Sequence, residues 1–287
     1  PKNPPLDSRG GWGSLTLSEI KLALRELGGG ANKRLGQHFL IDSAVLKTIV
    51  EAADIHPGDL VLEIGPGLGV LTRELLAKGA EVVAIEKDRR FVEYLNHPPA
   101  PSFSTEGGGD RLRVIHGDAA TIHWHEIIGY RPWKLISNLP YSITSLALRK
   151  ALWAPRPASR VVVLVQREVA ERIVTTRKTS LLSLMVALAS SSARILSHVP
   201  AHAFYPPPKV ESAIFEIVPM MPDDREKRWG IDPEKIMALA KKGFTHPRKF
   251  LRSNLELQPT AYNLLPTENA RAENLSPEEW AALAKIV

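Results

Sequence analysis

Short apolar runs alternate with amphipathic stretches along most of the chain. The runs have the length of buried strands, and the stretches between them carry apolar residues at helical spacing. Strands are predicted over Leu60–Ile64, Glu81–Ile85, Leu112–Ile115, Lys134–Ser137, Val161–Gln166, Ala193–His198 and Ser212–Val218. Helices are predicted over Ser43–Ala53, Val70–Ala77, Thr144–Leu152, Glu168–Val174 and Leu181–Ala189. Because strands and helices alternate, we expect an α/β fold with a mainly parallel sheet.

The pattern changes at both ends of the chain. Residues 1–17 are rich in Pro, Gly and Ser and predict a loose tail, and a short helix capped by Ser18 is predicted over Ser18–Leu27. After residue 219 no strand pattern is visible, and helices are predicted over Asp232–Leu255 and Ser276–Ile286. We therefore expect three units: a tail with a short helix (1–30), an α/β domain (31–222) and a small all-helical domain (223–287).

Composition excludes several classes of protein. The 287 residues include no cysteine, which excludes disulfides, thiolate nucleophiles and cysteine-bound metals. No apolar run reaches the roughly 18 residues of a membrane span, so we expect a cytoplasmic protein without a membrane partner, with an organelle left open. His123-Trp124-His125 has no obvious partner acids, and we expect no metal site. The net charge of +6 and the pI of about 9.5 favour a polyanionic partner such as nucleic acid.

A glycine-rich turn follows the strand predicted over Leu60–Ile64. Gly65-Pro66-Gly67-Leu68-Gly69 joins this strand to the next predicted helix. Glycines permit positive φ and a close approach of a ligand to the backbone, and a helix start offers free N–H groups. The spacing is neither the dinucleotide-binding Gly-x-Gly-x-x-Gly nor a Walker pattern. An acid two residues before the first glycine, here Glu63, is the variant seen in S-adenosylmethionine-dependent methyltransferases.

Two acids follow the next two predicted strands, at the edge where open α/β sheets bind ligands. Glu86 comes 17 positions after Gly69, close to the spacing of roughly 20 for an acid that binds ribose hydroxyls. Asp118, in Gly117-Asp118-Ala119, can accept the amino group of an adenine ring. Taken alone, Asp118 is more typical of a turn or a helix cap, and its place at a strand end favours the ligand.

The strand predicted over Lys134–Ser137 ends in Asn138-Leu139-Pro140-Tyr141. This tetrad places a carboxamide, backbone carbonyls and a flat ring at one strand end. The acceptors suit the exocyclic amine of a planar base, and the ring offers it a stacking surface. Phe204, which is followed by Tyr205-Pro206-Pro207-Pro208, is a candidate for the other face of the base. From the sequence alone, core or proline packing is the favoured explanation of Phe204.

In this order the motifs resemble the ribosomal RNA adenine dimethyltransferase family. The resemblance covers the chain from about Lys33 to Ile286. It rests on Lys33–Asp42, Glu63–Gly69, Glu86, Gly117–Ala119, Asn138–Tyr141, Gln166–Val169, Phe204–Ser212 and Arg248–Leu255. It implies a Rossmann-like methyltransferase domain with S-adenosylmethionine as the cofactor. The implied reaction is dimethylation of N6 of two adjacent adenosines near the 3′ end of small-subunit ribosomal RNA.

The resemblance also implies roles for individual residues. Contacts to S-adenosylmethionine are expected from His38, Leu40, Gly65, Glu86, Asp118 and Asn138. His38 departs from the family, which commonly has Asn there, but an imidazole also donates or accepts a hydrogen bond. The catalytic residues are expected to be Asn138, Leu139, Pro140, Tyr141 and Phe204. The stretch Pro98–Asp110, with three consecutive glycines, predicts an exposed local insertion.

A cationic stretch without acids runs from Lys241 to Leu255. On a continuous helix Arg248, Lys249 and Arg252 share a face that can follow phosphates, and the resemblance assigns the region to ribosome docking. Without that context, a solvated helix face explains the charges. The predicted RNA-binding residues are Lys33, Arg34, Lys241, Lys242, Arg248, Lys249 and Arg252. The predicted partner is the small ribosomal subunit and its RNA, bound by a monomer.

Three other functions stay open at this point. A large-subunit ribosomal RNA adenine methylase of the antibiotic-resistance type typically carries Ile in place of Leu139 and a less complete proline run than Pro206–Pro208. A DNA adenine methylase favours an acidic Asp-Pro-Pro-Tyr form of the tetrad. A ribosome-assembly or transcription factor can keep the fold and lose the activity. The last alternative is disfavoured because four residues expected for catalysis and cofactor binding are intact: Glu86, Asp118, Asn138 and Tyr141.

Overall fold

The computed structural model describes residues 15–32, 35–96, 111–175 and 178–287. Within these ranges the strands are β1 (Phe39–Leu40), β2 (Leu60–Ile64), β3 (Glu81–Glu86), β4 (Leu112–His116), β5 (Trp133–Asn138), β6 (Arg160–Gln166), β7 (Ser190–Val199), β8 (Phe204–Tyr205) and β9 (Ser212–Pro219). The helices are α1 (Leu17–Glu26), α2 (Ser43–Ala53), α3 (Val70–Ala77), α4 (Arg89–Asn96), α5 (Trp124–Ile128), α6 (Thr144–Leu152), α7 (Arg167–Val174), α8 (Leu181–Ala189), α9 (Pro222–Trp229), α10 (Pro233–Gly243), α11 (Leu251–Asn254) and α12 (Pro277–Ala284). Most of the predicted tail and the predicted loop Pro98–Asp110 lie outside the described residues.

The central sheet has the strand order β4-β3-β2-β5-β6-β9-β7. The pairs β2–β3, β3–β4, β2–β5 and β5–β6 are parallel, and β9 lies antiparallel between β6 and β7. This confirms the expected α/β fold with a mainly parallel sheet. The strand order reverses between β2 and β5, so their carboxyl ends border the crevice in which such sheets bind ligands. Beside it, β1 pairs with β8 in a small antiparallel sheet.

Helices cover both faces of the sheet, so the central strands β2, β3, β5 and β6 are buried along most of their length. Side chains alternate between the two faces along each strand. In β2, Leu62 and Ile64 belong to one buried apolar cluster, and Val61 belongs to the other. Residues of α6 and α8 complete the first cluster, and residues of α1, α2 and α3 complete the second. These two layers hold the strand ends, and therefore the loops with the candidate residues, in fixed positions.

The described chain after β9 is helical, as expected, and it packs on the same core. Ile236 of α10 and Trp280 of α12 are fully buried in the apolar cluster that also contains Leu184 and Leu188 of α8. The C-terminal helices therefore extend the hydrophobic core of the sheet. The domain boundaries at residues 30 and 222 stay a prediction.

The prediction of one continuous helix over Asp232–Leu255 is wrong. A turn separates the end of α10 from the start of α11. Pro247 lies in this turn, and its backbone has no N–H with which to continue a helix. Arg248 and Lys249 lie in the same turn. They therefore do not share a helical face with Arg252, as the sequence pattern had suggested.

The first helix begins one residue earlier than expected and is capped by Thr16 rather than by Ser18. The Thr16 hydroxyl accepts the Glu19 N–H at 3.3 Å, and the Glu19 carboxylate accepts the Thr16 N–H at 2.7 Å. This reciprocal pair is a capping box. The apolar pattern also missed the short elements α4, α5, α9, β1 and β8. α5, β1 and β8 have too few positions to show a period. α4 and α9 are as long as the predicted helix α3, so length does not explain why they were missed.

Candidate active site

The crevice opens where β2 and β5 separate. Their parallel ladder pairs Leu60–Leu62 with Trp133–Leu135 and goes no further. Beyond it, the hydroxyl of the fully buried Ser137 donates to the Ile64 carbonyl at 2.7 Å and accepts the Ile64 N–H at 3.3 Å. This side chain satisfies the backbone at the point of separation, so the turns after the two strands can diverge. Sequence reasoning missed the role of Ser137, although a lone hydroxyl in a buried strand is a visible signal.

The turn after β2 holds three glycines in a conformation that other residues rarely adopt. Gly65, Gly67 and Gly69 have φ angles of 67°, 57° and 76°, in the left-handed region. A Cβ on Gly67 would lie 2.9 Å from Cε1 of Phe39 on β1. The glycines therefore let the turn pass close to β1, which narrows the crevice into a cleft.

Glu86, the last residue of β3, is a buried carboxylate held by the backbone. Its Oε2 accepts the Gly67 N–H at 3.0 Å, and its Oε1 accepts the Asp88 N–H at 2.7 Å. Burial raises the pKa of Glu86 above its ordinary value. A carboxylate has about four acceptor sites, and the backbone N–H groups of Gly67, Asp88 and Lys87 use part of them, so Glu86 keeps acceptor capacity for a ligand. This arrangement fits the predicted binding of two ribose hydroxyls.

A second buried acid, Glu63, lies on β2 against the same cleft. The Thr72 hydroxyl of α3 donates to its Oε2 at 2.7 Å. Burial raises the pKa of Glu63 to about 8, so the group is mainly protonated at neutral pH. Glu63 therefore gives the cleft a neutral carboxylic acid that can form hydrogen bonds, and it does not add a buried negative charge.

Asp118 lies at the carboxyl end of β4 and is held from two sides. Lys87 Nζ lies 2.8 Å from its Oδ2, and the Ala120 N–H donates to its Oδ1 at 2.8 Å. The Lys87 ammonium and the Ala120 N–H hold the pKa of Asp118 below its ordinary value. Asp118 thus presents an ionised carboxylate that can accept an amine at the cleft. Lys87 was not predicted as a site residue, although it directly follows Glu86.

The loop before β1 is tied to the far side of the cleft through Asp88. Gln37 Nε2 donates to Asp88 Oδ2 at 2.8 Å, and the Arg90 guanidinium forms two bonds with the same carboxylate at 2.7 and 3.0 Å. Arg90 holds the pKa of Asp88 below its ordinary value. Sequence reasoning missed this three-residue link. Its effect is to fix the loop that carries His38 and Leu40.

His38 and Asn138 meet across the cleft. Asn138 Nδ2 donates to the His38 carbonyl at 3.0 Å. The His38 ring Nδ1 lies 2.7 Å from the Pro206 carbonyl, and because a carbonyl only accepts, Nδ1 carries the hydrogen. With Nδ2 of Asn138 directed to His38, its Oδ1 is left as an acceptor. Within the described ranges no donor to this oxygen is present.

The other members of the tetrad also line the cleft. The Leu139 side chain is buried, and its N–H bonds to the Leu164 carbonyl. The Tyr141 hydroxyl lies 2.7 Å from the hydroxyl of Ser212 on β9, which fixes the phenol ring. The rings of Tyr141 and His38 have centroids 6.3 Å apart and planes 21° apart. The tetrad thus supplies an amide oxygen, backbone carbonyls and an oriented ring to one space.

Phe204 is the predicted catalytic residue that the structure does not bring to the cleft wall. Its side chain is only 2% exposed and belongs to the buried apolar cluster that includes Ile214 and Val199. Its backbone pairs with Leu40 in the small sheet. The structure therefore places Phe204 in the core, which was the favoured alternative at the level of sequence.

The predicted RNA-binding residues fall in two separate parts of the sequence, and the described ones differ in exposure and in ion pairing. Lys241, Lys242, Arg248 and Lys249 are exposed at the end of α10 and in the turn that follows it. Arg252 is half-buried and pairs with Glu268 at 3.7 Å. Lys33 and Arg34 lie outside the described residues. Exposed cations without described acidic partners therefore cluster around the turn after α10.

The part of the chain that the structure describes offers no metal centre. No group of three or more His, Cys, Asp or Glu side chains is placed to hold a metal ion there. His123 and His125 lie within 3.9 Å of Glu126 at the start of α5. Across the same ranges, none of the helices combines the length and apolar character that crossing a membrane requires.

All six residues expected to contact the cofactor line one cleft: His38, Leu40, Gly65, Glu86, Asp118 and Asn138. Their chemistry fits S-adenosylmethionine. A buried carboxylate with free acceptor sites suits the ribose, and a side-chain-free turn admits a ligand close to the backbone. A second carboxylate, Asp118, suits the adenine amine.

Comparison with known sequences gives consistent results. The profile of the family described as Ribosomal RNA adenine dimethylase matches residues 29–287. A Dehalococcoides mccartyi protein named Ribosomal RNA small subunit methyltransferase A is 41% identical over 264 residues, which cover 88% of this chain and 87% of that protein. A Phenylobacterium zucineum protein of the same name is 38% identical over 279 residues, which cover 94% of this chain and 92% of that protein.

Solved structures share the fold. A dimethyladenosine transferase from Plasmodium falciparum superposes with a TM-score of 0.67 at 24% identity, over 86% of this chain and 96% of that one. The 23S rRNA methyltransferase ErmE superposes with a TM-score of 0.63 at 24% identity, over 86% of this chain and 98% of that one. At this identity the likeness shows the fold alone. The profile match and the curated relatives, which cover most of the chain, show more: the chain belongs to the ribosomal RNA adenine dimethylase family.

Proposed function

We propose that the chain uses S-adenosylmethionine to dimethylate N6 of two adjacent adenosines near the 3′ end of small-subunit ribosomal RNA. The observation that carries the proposal is the orientation of Asn138. Its Nδ2 is engaged by the His38 carbonyl at 3.0 Å, which leaves Oδ1 to accept a hydrogen bond from an amine in the cleft. We propose that the protein acts as a monomer in the cytoplasm on the small subunit.

The cofactor, when bound, supplies an activated methyl group. Glu86 would accept its ribose hydroxyls with the acceptor capacity that the backbone N–H groups leave free. Asp118 accepts its adenine amine. His38 and Leu40 border it from the side of β1, where the link from Gln37 to Asp88 holds their loop.

Two acceptors prepare the adenosine amine. Asn138 Oδ1 takes one hydrogen, and the Leu139 carbonyl is the better candidate for the other. The Pro140 carbonyl already accepts the Ile143 N–H at 3.1 Å, whereas the Leu139 carbonyl accepts no hydrogen bond from any described residue. Acceptors on both hydrogens favour a more tetrahedral nitrogen and expose its lone pair. Such positioning can contribute up to about 7–11 kcal/mol to lowering a barrier.

Tyr141 holds the base and takes no proton. A target adenine must leave its stack to enter the cleft, and the Tyr141 ring offers it a replacement surface. Burial raises the pKa of the Tyr141 hydroxyl, so the phenol stays protonated at neutral pH. No strong base is needed at this site, because the nitrogen becomes acidic as it gains the methyl group.

We assign RNA docking to the helical region that begins at about residue 223. Lys241, Lys242, Arg248 and Lys249 form the exposed part of this surface, and Arg252 borders it. Exposed lysine and arginine side chains bind phosphates without reading sequence. Lys33 and Arg34, which precede His38 by five and four positions in sequence, are assigned to RNA binding in the same proposal.

The test is methyl transfer from labelled S-adenosylmethionine to small ribosomal subunits that lack the modification. We expect label on N6 of adenosines near the 3′ end of the RNA. The Asn138→Ala variant should lose transfer by at least about 100-fold, since a positioned polar group is worth that much in comparable sites. The same variant should bind subunits as well as the native protein does.

Other outcomes separate the alternatives. Label only on large-subunit RNA or on DNA would overturn the proposed substrate. Binding of cofactor and subunit without any transfer would favour an assembly factor. Equal loss of transfer and of subunit binding in Asn138→Ala would contradict the separation between the cleft and the docking surface.

A further inference from the structure

A small basic pocket, called the notch below, lies beside the cleft. It is formed by α1, the glycines that follow α1, and β8. Its lining consists of Lys21, Leu24, Arg25, Gly29, Gly30 and Tyr205. Lys21 Nζ lies 5.1 Å from the centre of the Tyr205 ring, so the ring holds the ammonium in place. None of the roles assigned above uses this notch.

Among the described residues, no acid neutralises the positive charge of the notch. Neither Lys21 nor Arg25 forms an ion pair with a described acid. Being four residues apart, the two cations share one face of α1. Glu26, next to Arg25 in sequence, lies about 100° around the helix from it. Arg90 lies beside the notch, since a Cβ on Gly29 would lie 3.6 Å from its Nη1, but the other nitrogens of Arg90 bind Asp88, which compensates its charge.

The notch adjoins the space where the target base is held. Tyr205 pairs with Phe39 across the small antiparallel sheet, and Phe39 follows His38, which lines the cleft. Strand geometry places the backbones of Tyr205 and His38 roughly 6 Å apart. Pro206, directly after Tyr205, accepts the hydrogen bond from His38. A nucleotide chain that enters the cleft therefore passes close to the notch.

We propose that Lys21 and Arg25 bind the backbone phosphate of the nucleotide adjacent to the target adenosine. Two cations on one helix face, without a described acidic partner, match a phosphodiester, and Tyr205 orients one of them. The notch would thus fix the position of the strand after a base has left its stack. This rests on the proposed function, since it presumes an RNA strand in the cleft. The role is binding and positioning, and it should act on KM more than on kcat.

The experiment compares the native protein with a Lys21→Gln/Arg25→Gln double variant in methyl transfer to unmodified small subunits. We expect KM for the subunit to rise about 3- to 10-fold with kcat within about twofold. The log–log dependence of subunit affinity on salt should become less steep by about 0.7, the value for one single-stranded phosphate that is no longer bound. Affinity for S-adenosylmethionine alone and the melting temperature should stay as in the native protein. A Lys21→Glu variant should raise KM further.

The matched control is Lys78→Gln. Lys78 is an exposed lysine at the end of α3, on the edge of the sheet opposite the cleft, and its loss should leave KM and the salt dependence unchanged. A double variant with native KM and native salt dependence would overturn the notch proposal while the native protein still methylates the subunit. If the native protein itself transfers no methyl group to the subunit, the proposed function fails instead. Weaker binding with an unchanged salt dependence would indicate contact with a protein surface and would also refute a phosphate site.

Discussion

At the scale of single residues, the cleft is built from polar groups whose hydrogen-bonding capacity is only partly used by the protein itself. Both oxygens of Glu86 accept backbone N–H groups, and the Asn138 amide donates to the His38 carbonyl. The groups are therefore oriented before any ligand arrives, and the remaining sites face the cleft. Orientation of this kind reduces the entropy that a ligand must lose on binding.

The hydrogen bond between Tyr141 and Ser212 should set the angle of the ring on which the base stacks. Ser212→Ala removes it, and the loss of such a bond costs about 0.5–1.5 kcal/mol. We expect kcat/KM for methyl transfer to fall about 2- to 10-fold. The melting temperature is measured beside it, to separate ring orientation from a loss of stability.

A double-mutant cycle decides whether the two hydroxyls act as one unit. Tyr141→Phe removes the same bond from the other side, so the double variant should be no slower than the slower single variant. If the fold-losses of kcat/KM in the two single variants multiply in the double variant, Ser212 does not act through Tyr141. Affinity for the cofactor should be equal in all four proteins.

Glu63 predicts how stability depends on pH. Its pKa of about 8 in the folded chain lies above its ordinary value of 4.5. Between these values the folded chain holds a proton that the unfolded chain has released, so rising pH destabilises the fold. We expect the melting temperature of the native protein to fall between about pH 5.5 and pH 8.5. Glu63→Gln keeps an acceptor for Thr72 but cannot ionise, so its melting temperature should fall less. Parallel pH curves for the two proteins would contradict the assignment.

At the scale of elements, the sequence predicted the helices whose apolar residues follow a clear helical period. The ends of α2, α3, α6 and α8 match the prediction, because apolar residues recur at helical spacing along them. The prediction of a helix through residues 244–250 was wrong. It relied on the spacing of the charged residues, whereas Pro247 interrupts the helix after α10. Ser137 and the link from Gln37 to Asp88 were missed because they join residues far apart in sequence. Only the strand order brings such residues together.

Gly243 tests how closely the C-terminal helices pack on one another. A Cβ there would lie 2.6 Å from the Trp280 ring and 2.9 Å from the Leu251 side chain. Gly→Ala in an exposed helix stabilises by roughly 0.5–1 kcal/mol, but overpacking a core costs about 1–3 kcal/mol. We therefore expect Gly243→Ala to lower the free energy of unfolding, measured by denaturant titration. The control is Gly30→Ala, where a Cβ meets nothing within 4 Å. Equal stability of Gly243→Ala and the native protein would show that α10 and α12 can separate slightly at no cost.

At the scale of the whole molecule, one continuous core carries two surfaces with different chemistry. The cleft lies at the carboxyl ends of β2, β3, β4 and β5, and it recognises its ligands by oriented hydrogen bonds. The exposed cations around the turn after α10 offer charge without a shaped pocket. Because α10 and α12 share the apolar cluster of the sheet, the two surfaces are held in a fixed relation. In the proposed function this relation places the 3′ end of the RNA at the cleft when the subunit is docked.

This division predicts opposite phenotypes for the two surfaces. A variant with Lys241, Lys242, Arg248 and Lys249 all changed to Gln should bind small subunits more weakly. Its log–log dependence of affinity on salt should be less steep by about 0.7–0.9 for each phosphate that is no longer bound. Its affinity for S-adenosylmethionine should stay native, because these side chains do not line the cleft. Asn138→Ala should show the reverse, with native subunit binding and a loss of transfer.

A lysine on the same group of helices supplies the control. Lys227 of α9 is exposed and lies 3.8 Å from Asp224, so its charge is already partly compensated. Lys227→Gln should leave both the subunit affinity and its salt dependence close to native. If the quadruple variant keeps the native salt dependence, the RNA is held by other residues and the cations after α10 are a solvated surface. If Lys227→Gln weakens binding as much as each of the four substitutions alone does, net charge rather than this surface controls docking.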